Sequence, residues 1–578
     1  MPDDVIVLDE VTAFGLIRRI RRGETPRILM IDPLMPPLRP LLERLQAWAL
    51  ARGARRLIDD YPEHAQEWAY PTLIFADDVL ATIEPWQAGH FDFETASSDR
   101  RHGFALKLLA TMFLFRRYMA AFLLNKHVAL TGAGVIGASP ELVGLARAWF
   151  GEGALPGIAA ARRPGRLLNL VPALLGLAAA LALVASKLRL SVTTRSVFVM
   201  ADQNNDWRDL ALYRMVSQDG ELMVVMRNAE VAALAAERFK DWPQCLPGDG
   251  AFDPWGALEA VFMAVRDSAA LWGSWGFLAP GLFYEMALLP FRRLRIRALL
   301  NRCQPDIFWA RDDYNVEHVL RRQELHRVGG RQWGLNHAVQ GITILMPQLR
   351  WVSMDHYFTI GSAFHRHFRD SWDVEHLHPI GSFAFTEVDF QRPTRTSRDI
   401  LFMARFAIGN PEFVRAVRLA AERFPDRTIL LQVKSGYPHD TLTPGFIEEC
   451  RQGLANVVHV TDPVYDLVAR ADMIVSDPST IIAEAIQLGT PTLMIDVIPG
   501  QKVSIFREFP GLCADSAEMV VERLSAWAGG GETFEPRRFA ELVNLDRRPY
   551  PEIVREVLRA ELIVHNLNSV DPARLNRL

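Results

Sequence analysis

Apolar and polar positions follow two rhythms along this chain, and the clearest lies between residues 399 and 497. There, short apolar runs at 399–406 (DILFMARF), 428–434 (TILLQVK), 457–462 (VVHVTD), 473–477 (MIVSD) and 491–497 (PTLMIDV) predict strands. Stretches of helical period at 411–424, 444–452, 464–471 and 479–488 separate them. Runs that are apolar on both faces and alternate with helices predict a parallel sheet covered on both sides. The region 196–390 repeats this grammar, with strands expected at 196–202, 222–226, 306–310, 332–336 and 357–360. A polar, proline-bearing stretch at 391–398 reads as the linker between the two. Residues 1–165 carry short runs at 5–8, 27–31 and 72–75, with a helix expected at 38–52, which leaves room for a third α/β unit. The expected fold class is therefore α/β, with two doubly wound domains behind an N-terminal extension.

Two longer apolar segments break this pattern. Residues 167–186 are interrupted only by Asn169, with Pro172 near the start. Residues 269–291 hold Trp272 and Trp275 but also Glu285, Pro280 and three glycines. Each approaches the ~20 residues that cross a bilayer. Arg162, Arg163 and Arg166 precede the first, Lys187 and Arg189 follow it, and Arg292, Arg293 and Arg295 follow the second. Cations on both sides of the first segment give no orientation. If both segments crossed, residues 190–268 would be cut off from the rest of their sheet, so two full spans are not expected; insertion along a membrane surface is the leading expectation, with a single span or burial as core helices left open.

Composition narrows the function class. The chain has 578 residues, 49% of them hydrophobic and 23% charged, with a net charge of −4. That balance supports a large core and excludes disorder. It also argues against a dedicated nucleic-acid binder, which would carry a basic excess. Mean hydropathy is +0.04, high enough to agree with membrane contact. Cys245, Cys303, Cys450 and Cys513 form no C-x-x-C pair and suit a reducing compartment. The acidic Met1-Pro2-Asp3-Asp4 start lacks a signal-peptide pattern.

Among motifs, Gly132-Ala133-Gly134-Val135-Ile136-Gly137 matches G-x-G-x-x-G. No second strand ending in an acidic residue follows about 20 positions on, so the match reads as a structural loop. The stronger signal is Ser476-Asp477-Pro478-Ser479-Thr480, running through Glu484-Ala485 to Gly489-Thr490-Pro491. A strand ending here delivers Ser479 and Thr480 to a helix N-terminus, where hydroxyls and backbone N–H groups suit a phosphate. Glu484, one turn on, is placed to accept from a ribose hydroxyl pair. This stretch resembles the nucleotide-binding motif of GT-B glycosyltransferases, convincingly over 399–560 and loosely over 300–390. The resemblance implies two Rossmann-like domains and gives Glu484 the donor ribose. Lys434, in Lys434-Ser435-Gly436-Tyr437-Pro438-His439, resembles the Lys-x-His-Pro stretch of bacterial capsule and teichoic-acid polymer transferases, with the Pro and His in the opposite order. Lys434 and Arg405 are candidate phosphate ligands at strand ends.

In the middle region, Gly334-Leu335-Asn336-His337-Ala338 resembles the histidine loop of related transferases, making His337 a candidate base. Asp313, with Asp312 and His318, forms a rival site for base or acceptor binding. Asp355-His356 with His365 and His367 matches no standard ligand spacing, and no metal is expected. The hydrophobic pattern sets off 1–165 as an extension and 166–195 as a membrane-associating segment, which the resemblance does not cover; the resemblance implies 196–390 as the acceptor-side domain, with an apolar insertion near 269–291, and 391–578 as the nucleotide-sugar domain. Its implied activity is sugar transfer from a nucleotide-sugar to a lipid-linked or polysaccharide acceptor at the inner membrane face, with no cofactor required and no nucleic acid bound. A CDP-polyol phosphotransferase, a sugar-nucleotide 2-epimerase and a catalytically dead GT-B scaffold remain open on sequence.

Overall fold

The computed structural model describes residues 4–31, 36–64, 100–156, 167–204, 206–272, 280–311, 315–336, 351–363, 372–386, 397–434, 442–497 and 505–568, with isolated positions 68, 158, 313, 349 and 366. Three parallel sheets organise them. The first joins β1 (Val5–Leu8), β2 (Arg27–Met30), β3 (Arg55–Arg56) and β4 (Val135–Ile136) in the order β3-β2-β1-β4. The expected strand at 72–75 lies outside the described residues.

The second sheet contains β5 (Arg195–Asp202), β6 (Leu222–Val225), β7 (Gln244–Cys245), β8 (Cys303–Ala310), β9 (Arg331–Leu335), β10 (Ser353–Thr359) and β11 (Asp373–Pro379), ordered β11-β10-β9-β8-β5-β6-β7. The third contains β12 (Ile400–Ala404), β13 (Ile429–Val433), β14 (Val457–His459), β15 (Met473–Ser476), β16 (Thr492–Ile495) and β17 (Cys513–Ala514), ordered β14-β13-β12-β15-β16-β17. Counting strands within each domain, both sheets run 3-2-1-4-5-6, and the middle one adds a seventh at its edge. This is the doubly wound order whose strand reversal opens a crevice at the carboxyl ends.

Local chemistry sets the helices. Asn410 accepts from the N–H groups of Glu412 (2.9 Å) and Phe413 (3.2 Å) and starts the Pro411–Arg423 helix, with Pro411 in its first turn. Asp206, Asn315 and Ser516 cap helices in the same way. The central strands β12, β15 and β16 of the third sheet are buried on both faces, as helices on each side require.

The two apolar segments diverge. Residues 167–187 form one helix, with Leu170, Val171, Leu174 and Leu175 exposed. Residues 269–291 form no single helix: Pro254–Trp272 ends, 273–279 lie outside the described residues, and Pro280–Ala287 and Leu289–Arg302 follow. Leu282, Phe283, Met286 and Leu289 are buried in a cluster with Phe104, Leu108 and Phe115. Those partners sit on the 32-residue Arg100–Thr131 helix, which the sequence reading missed. Two described helices, Gly103–Thr131 and Asn169–Lys187, are long and apolar enough to cross a membrane; most of the first is buried in the protein and most of the second is not.

The G-x-G-x-x-G run follows this helix rather than a strand and supplies β4 at the edge of the first sheet. Gly137 has φ +85°, and a Cβ there would stand 2.2 Å from Thr12 Cγ2. The glycine is required by packing, in agreement with a structural loop.

The Tyr550–Asn568 helix returns to the middle sheet. Tyr550 Oη donates to the Arg208 carbonyl (2.6 Å), Arg555 pairs with Asp219, and Val554 and Leu558 pack in one core with Val199, Leu212 and Trp333.

Candidate functional site

The site is built from strand ends of both large domains. At the end of β15, one oxygen of the fully buried Asp477 carboxylate accepts N–H groups from Arg405 (2.7 Å), Phe406 and Ala407 (2.9 Å). The loop after β12 is therefore wrapped around a carboxylate, which fixes where Arg405 starts. Burial pushes the Asp477 pKa up to about 6, against the pull of those three donors and of Arg405.

The helix after Asp477 starts at Ile481, two residues later than the sequence pattern suggests. Ser479 and Thr480 are half-buried in the turn before it. Ser479 takes two first-turn donors itself: Ile481 N–H points to its Oγ (3.5 Å) and Ile482 N–H to its carbonyl (3.2 Å). Thr480 has helical dihedrals and makes no side-chain cap. The anion site expected at these two residues thus has part of its donor set already engaged.

Glu484 is nearly fully buried and reaches the other domain. It accepts from Ser382 Oγ (3.1 Å) and from Tyr465 Oη (3.4 Å). Burial raises its pKa, opposed first by the Arg208 charge. Ser382 follows β11 and is held by Gln487, whose Oε1 accepts the Ser382 N–H (2.7 Å). Gly381 before it has φ +87°, with Gln487 Nε2 only 2.4 Å from where a Cβ would sit.

Arg208 stands in the first turn of the Trp207–Val216 helix, after β5. Its charge, which burial disfavours, is held by the Asp206 carboxylate and by Glu484 across the crevice. Trp207 meets Tyr465 edge-on, with ring centroids 5.9 Å apart. Lys434, just after β13, is held below its ordinary pKa by desolvation and then by the charges of Arg405 and Arg208. Arg405, Lys434 and Glu484 are therefore gathered at one crevice, joined by Arg208. The sequence reading missed Arg208; its signal was an Asp206 cap directly after the first strand of the middle sheet.

Asp313 is fully buried. It accepts from Tyr357 Oη (2.7 Å), which in turn accepts from Asn336 Nδ2 (3.0 Å). Asp313 thereby anchors the residue next to His337. His337 and Asp312 lie outside the described residues. His318 is a core residue, its Nε2 accepting the Ser353 N–H (3.2 Å). Asp355 pairs with Arg322 and His326 (2.7 Å).

A cavity of about 410 Å³ opens at the carboxyl ends of β5, β6 and β8. Arg227, Arg292, Arg295, Arg311 and Arg321 line it, against the acids Asp202 and Glu317. Arg321 makes a two-pronged bond to Asp202 (2.9 and 3.2 Å). Arg292 and Arg295, read from sequence as flanking a membrane segment, face this cavity. Arg293 is interior, paired with Glu324 (2.7 Å) and Asp267 (3.2 Å).

Two Rossmann-like domains facing each other across one crevice make the fold GT-B type. No family model matches the chain, and no curated protein matches it. Solved structures similar to it include the UDP-GlcNAc 2-epimerase of Neisseria meningitidis bound to UDP-GlcNAc, at 11% identity over 63% of this chain and 100% of that one, with a TM-score of 0.36. MurG of Acinetobacter baumannii shows 10% identity over 63% and 99%, with a TM-score of 0.37. An O-GlcNAc transferase mutant of Thermobaculum terrenum shows 13% over 84% and 94%, with a TM-score of 0.32. Likeness this distant leaves the reaction to be read from the chain's own residues.

Proposed function

We propose that this protein is a glycosyltransferase that moves a sugar from a nucleotide-activated donor to a lipid-linked or surface-polysaccharide acceptor at the cytoplasmic face of a membrane. The observation that carries this reading is the crevice itself: Glu484 bonds Ser382 across it and feels the Arg208 charge, and Lys434 feels the charges of Arg405, Arg208 and Glu484. In this reading Glu484 exchanges its Ser382 and Tyr465 bonds for the donor ribose, and Ser479 and Thr480 border the phosphates. Arg208, Arg405 and Lys434 neutralise the leaving phosphate, so the transfer needs no metal or other cofactor. His337 serves as the base, on a loop anchored through Asn336, Tyr357 and Asp313.

The arginine-lined cavity supports an anionic acceptor, since guanidinium groups hold phosphate or carboxylate with two donors at once. Membrane contact is supported by a second surface. Trp255, Leu258, Phe262 and Val265 are exposed at helical spacing along Pro254–Trp272, which packs on the Leu167–Lys187 helix with its own exposed leucines.

A thermal-shift panel of UDP, GDP, CDP, dTDP and CMP on the full chain tests the donor site. One nucleotide is expected to stabilise selectively, by about 2.7 kcal/mol at a hundredfold excess over Kd. Glu484→Gln is expected to weaken that nucleotide by roughly 10- to 100-fold, the worth of a charged hydrogen bond. No shift with any nucleotide overturns the reading in favour of an inactive scaffold. A nucleotide-sugar converted in the absence of any acceptor overturns it in favour of the epimerase.

A further inference from the structure

Three imidazoles share one face of the middle sheet, two of them, His356 and His376, in the middle of their strands rather than at the carboxyl ends. His356 on β10 and His376 on β11 are register partners, and His378 is paired one step further with Phe358. The His356 ring lies 4.7 Å from that of His376 and 5.2 Å from that of His378, parallel to the latter within 4°. On its other side His356 stacks on Trp333, with centroids 4.4 Å apart. The ring is fixed further by a hydrogen bond between its Nδ1 and His378 Nε2 (3.0 Å). That contact leaves His356 Nε2 facing outward.

The Tyr550–Asn568 helix closes over this face. Tyr550, Val554 and Leu558 are buried along its inner side. At the next turn of the same stripe, where an apolar residue would continue the pattern, the chain has Glu561. Its carboxylate comes within 3.5 Å of His356 Nε2. The ligand atoms of His356, His376 and Glu561 all lie within 4.8 Å of one another. His376 is exposed on β11, the edge strand, which gives an ion a path in. The other carboxylate-histidine group of this domain, His326, Asp355 and Glu375, differs in one respect: the Arg322 guanidinium already pairs with both of its acids.

We propose that His356, His376 and Glu561 bind a divalent transition-metal ion of the zinc or nickel type, with His378 orienting His356 as a positioning residue. Two imidazoles and a carboxylate are the donor set such ions prefer, and magnesium or calcium would want oxygen alone. A hydrogen bond on the second ring nitrogen of a ligating histidine is the usual orienting device. Bond lengths of 2.0–2.1 Å put ligand atoms about 3.4 Å apart, so the site closes by a small rotation of His376 and Glu561. The ion ties the returning helix to the middle sheet and takes no part in sugar transfer.

The test uses the full chain, freed of any affinity tag and stripped with a chelator. Titration calorimetry with Zn²⁺ and Ni²⁺ is expected to show one site per chain, which Mg²⁺ does not compete for. His376→Gln and Glu561→Gln each abolish that site, and His378→Gln weakens it by roughly 10- to 100-fold. Loading with Co²⁺ is expected to give a visible spectrum that both ligand variants lose. His376 is exposed and Glu561 partly so, and a metal-free thermal melt confirms that the variants fold. Absence of stoichiometric binding overturns the proposal in favour of a plain hydrogen-bonded histidine row. Binding that both variants retain overturns it in favour of another location.

Discussion

The middle and C-terminal sheets share one strand order and are held together by different means. In the C-terminal sheet the strands bury Leu401, Phe402, Leu430, Leu431, Ile474 and Val475; apart from Thr492 at the start of β16, their buried polar groups lie at the carboxyl edge, Ser476 and Asp477 among them. The middle sheet buries Gln332, Ser353, Asp355 and His356 inside its strands, and the fully buried Arg322 reaches in from the Val316–Arg327 helix. Arg322 bonds Asp355 and Ser353, pairs with Glu375 and Asp373, and donates to the Asp373 carbonyl. The same winding is thus reached by dispersion and dehydration in one domain and by a saturated ion network in the other.

The largest expected effect breaks that network. Arg322→Ala leaves Asp355 buried with His326 in place of its guanidinium partner and should cost about 3–5 kcal/mol by denaturant unfolding. A loss below about 1 kcal/mol would mean the middle sheet is as apolar in its energetics as its partner.

Next comes Asp477, a buried carboxylate at the carboxyl edge of the C-terminal sheet. With the Asp477 pKa near 6 when folded and 3.8 when exposed, the folded state holds the proton more tightly. Stability from this group is therefore greatest at low pH and falls as pH rises from about 4 to 6. The displacement corresponds to about 3 kcal/mol. The stability of wild type relative to Asp477→Asn should drop by that order between pH 4 and pH 7. A flat difference would show that the three N–H donors cancel the effect of burial, and a rise that they outweigh it.

Gly137→Ala, in the smaller N-terminal sheet, should cost about 1–3 kcal/mol through its positive φ and the Thr12 contact. It should leave nucleotide binding unchanged; loss of nucleotide affinity at unchanged stability would return a binding role to the glycine run. The smallest effect on stability, within about 0.5 kcal/mol, is expected for Trp255→Ser with Phe262→Ser. The same pair should reduce sedimentation with anionic vesicles several-fold, and undiminished sedimentation would remove this face from the membrane reading.

The contrast between the sheets also explains what the sequence made legible. In the C-terminal domain each strand is mostly apolar, and every strand of the third sheet lies within or beside an expected one except the two-residue β17. The middle domain's β11 (DVEHLHP) is polar at Asp373, Glu375, His376 and His378, with its histidines set against β10 and its acids paired with Arg322. Such a strand has no apolar signature, so it was not expected. The Arg100–Thr131 helix escaped for a related reason: it is buried around most of its circumference and shows almost no amphipathic period. At the site, Glu484, Arg405 and Lys434 were found because each ends a legible strand or opens the next helix. Arg208 and Ser382 belong to the other sheet, and only the folded chain brings them beside Glu484.

The returning helix has a consequence for how the protein is made. Residues 550–568 cover the middle sheet but leave the ribosome after the whole C-terminal sheet, 400–514, has been synthesised. Until they emerge, the faces of Val199, Leu212 and Trp333 that meet Val554 and Leu558 stay wet. The C-terminal domain can settle first, and the earlier-made domain must wait for it, reversing the usual order of domain-by-domain folding during translation.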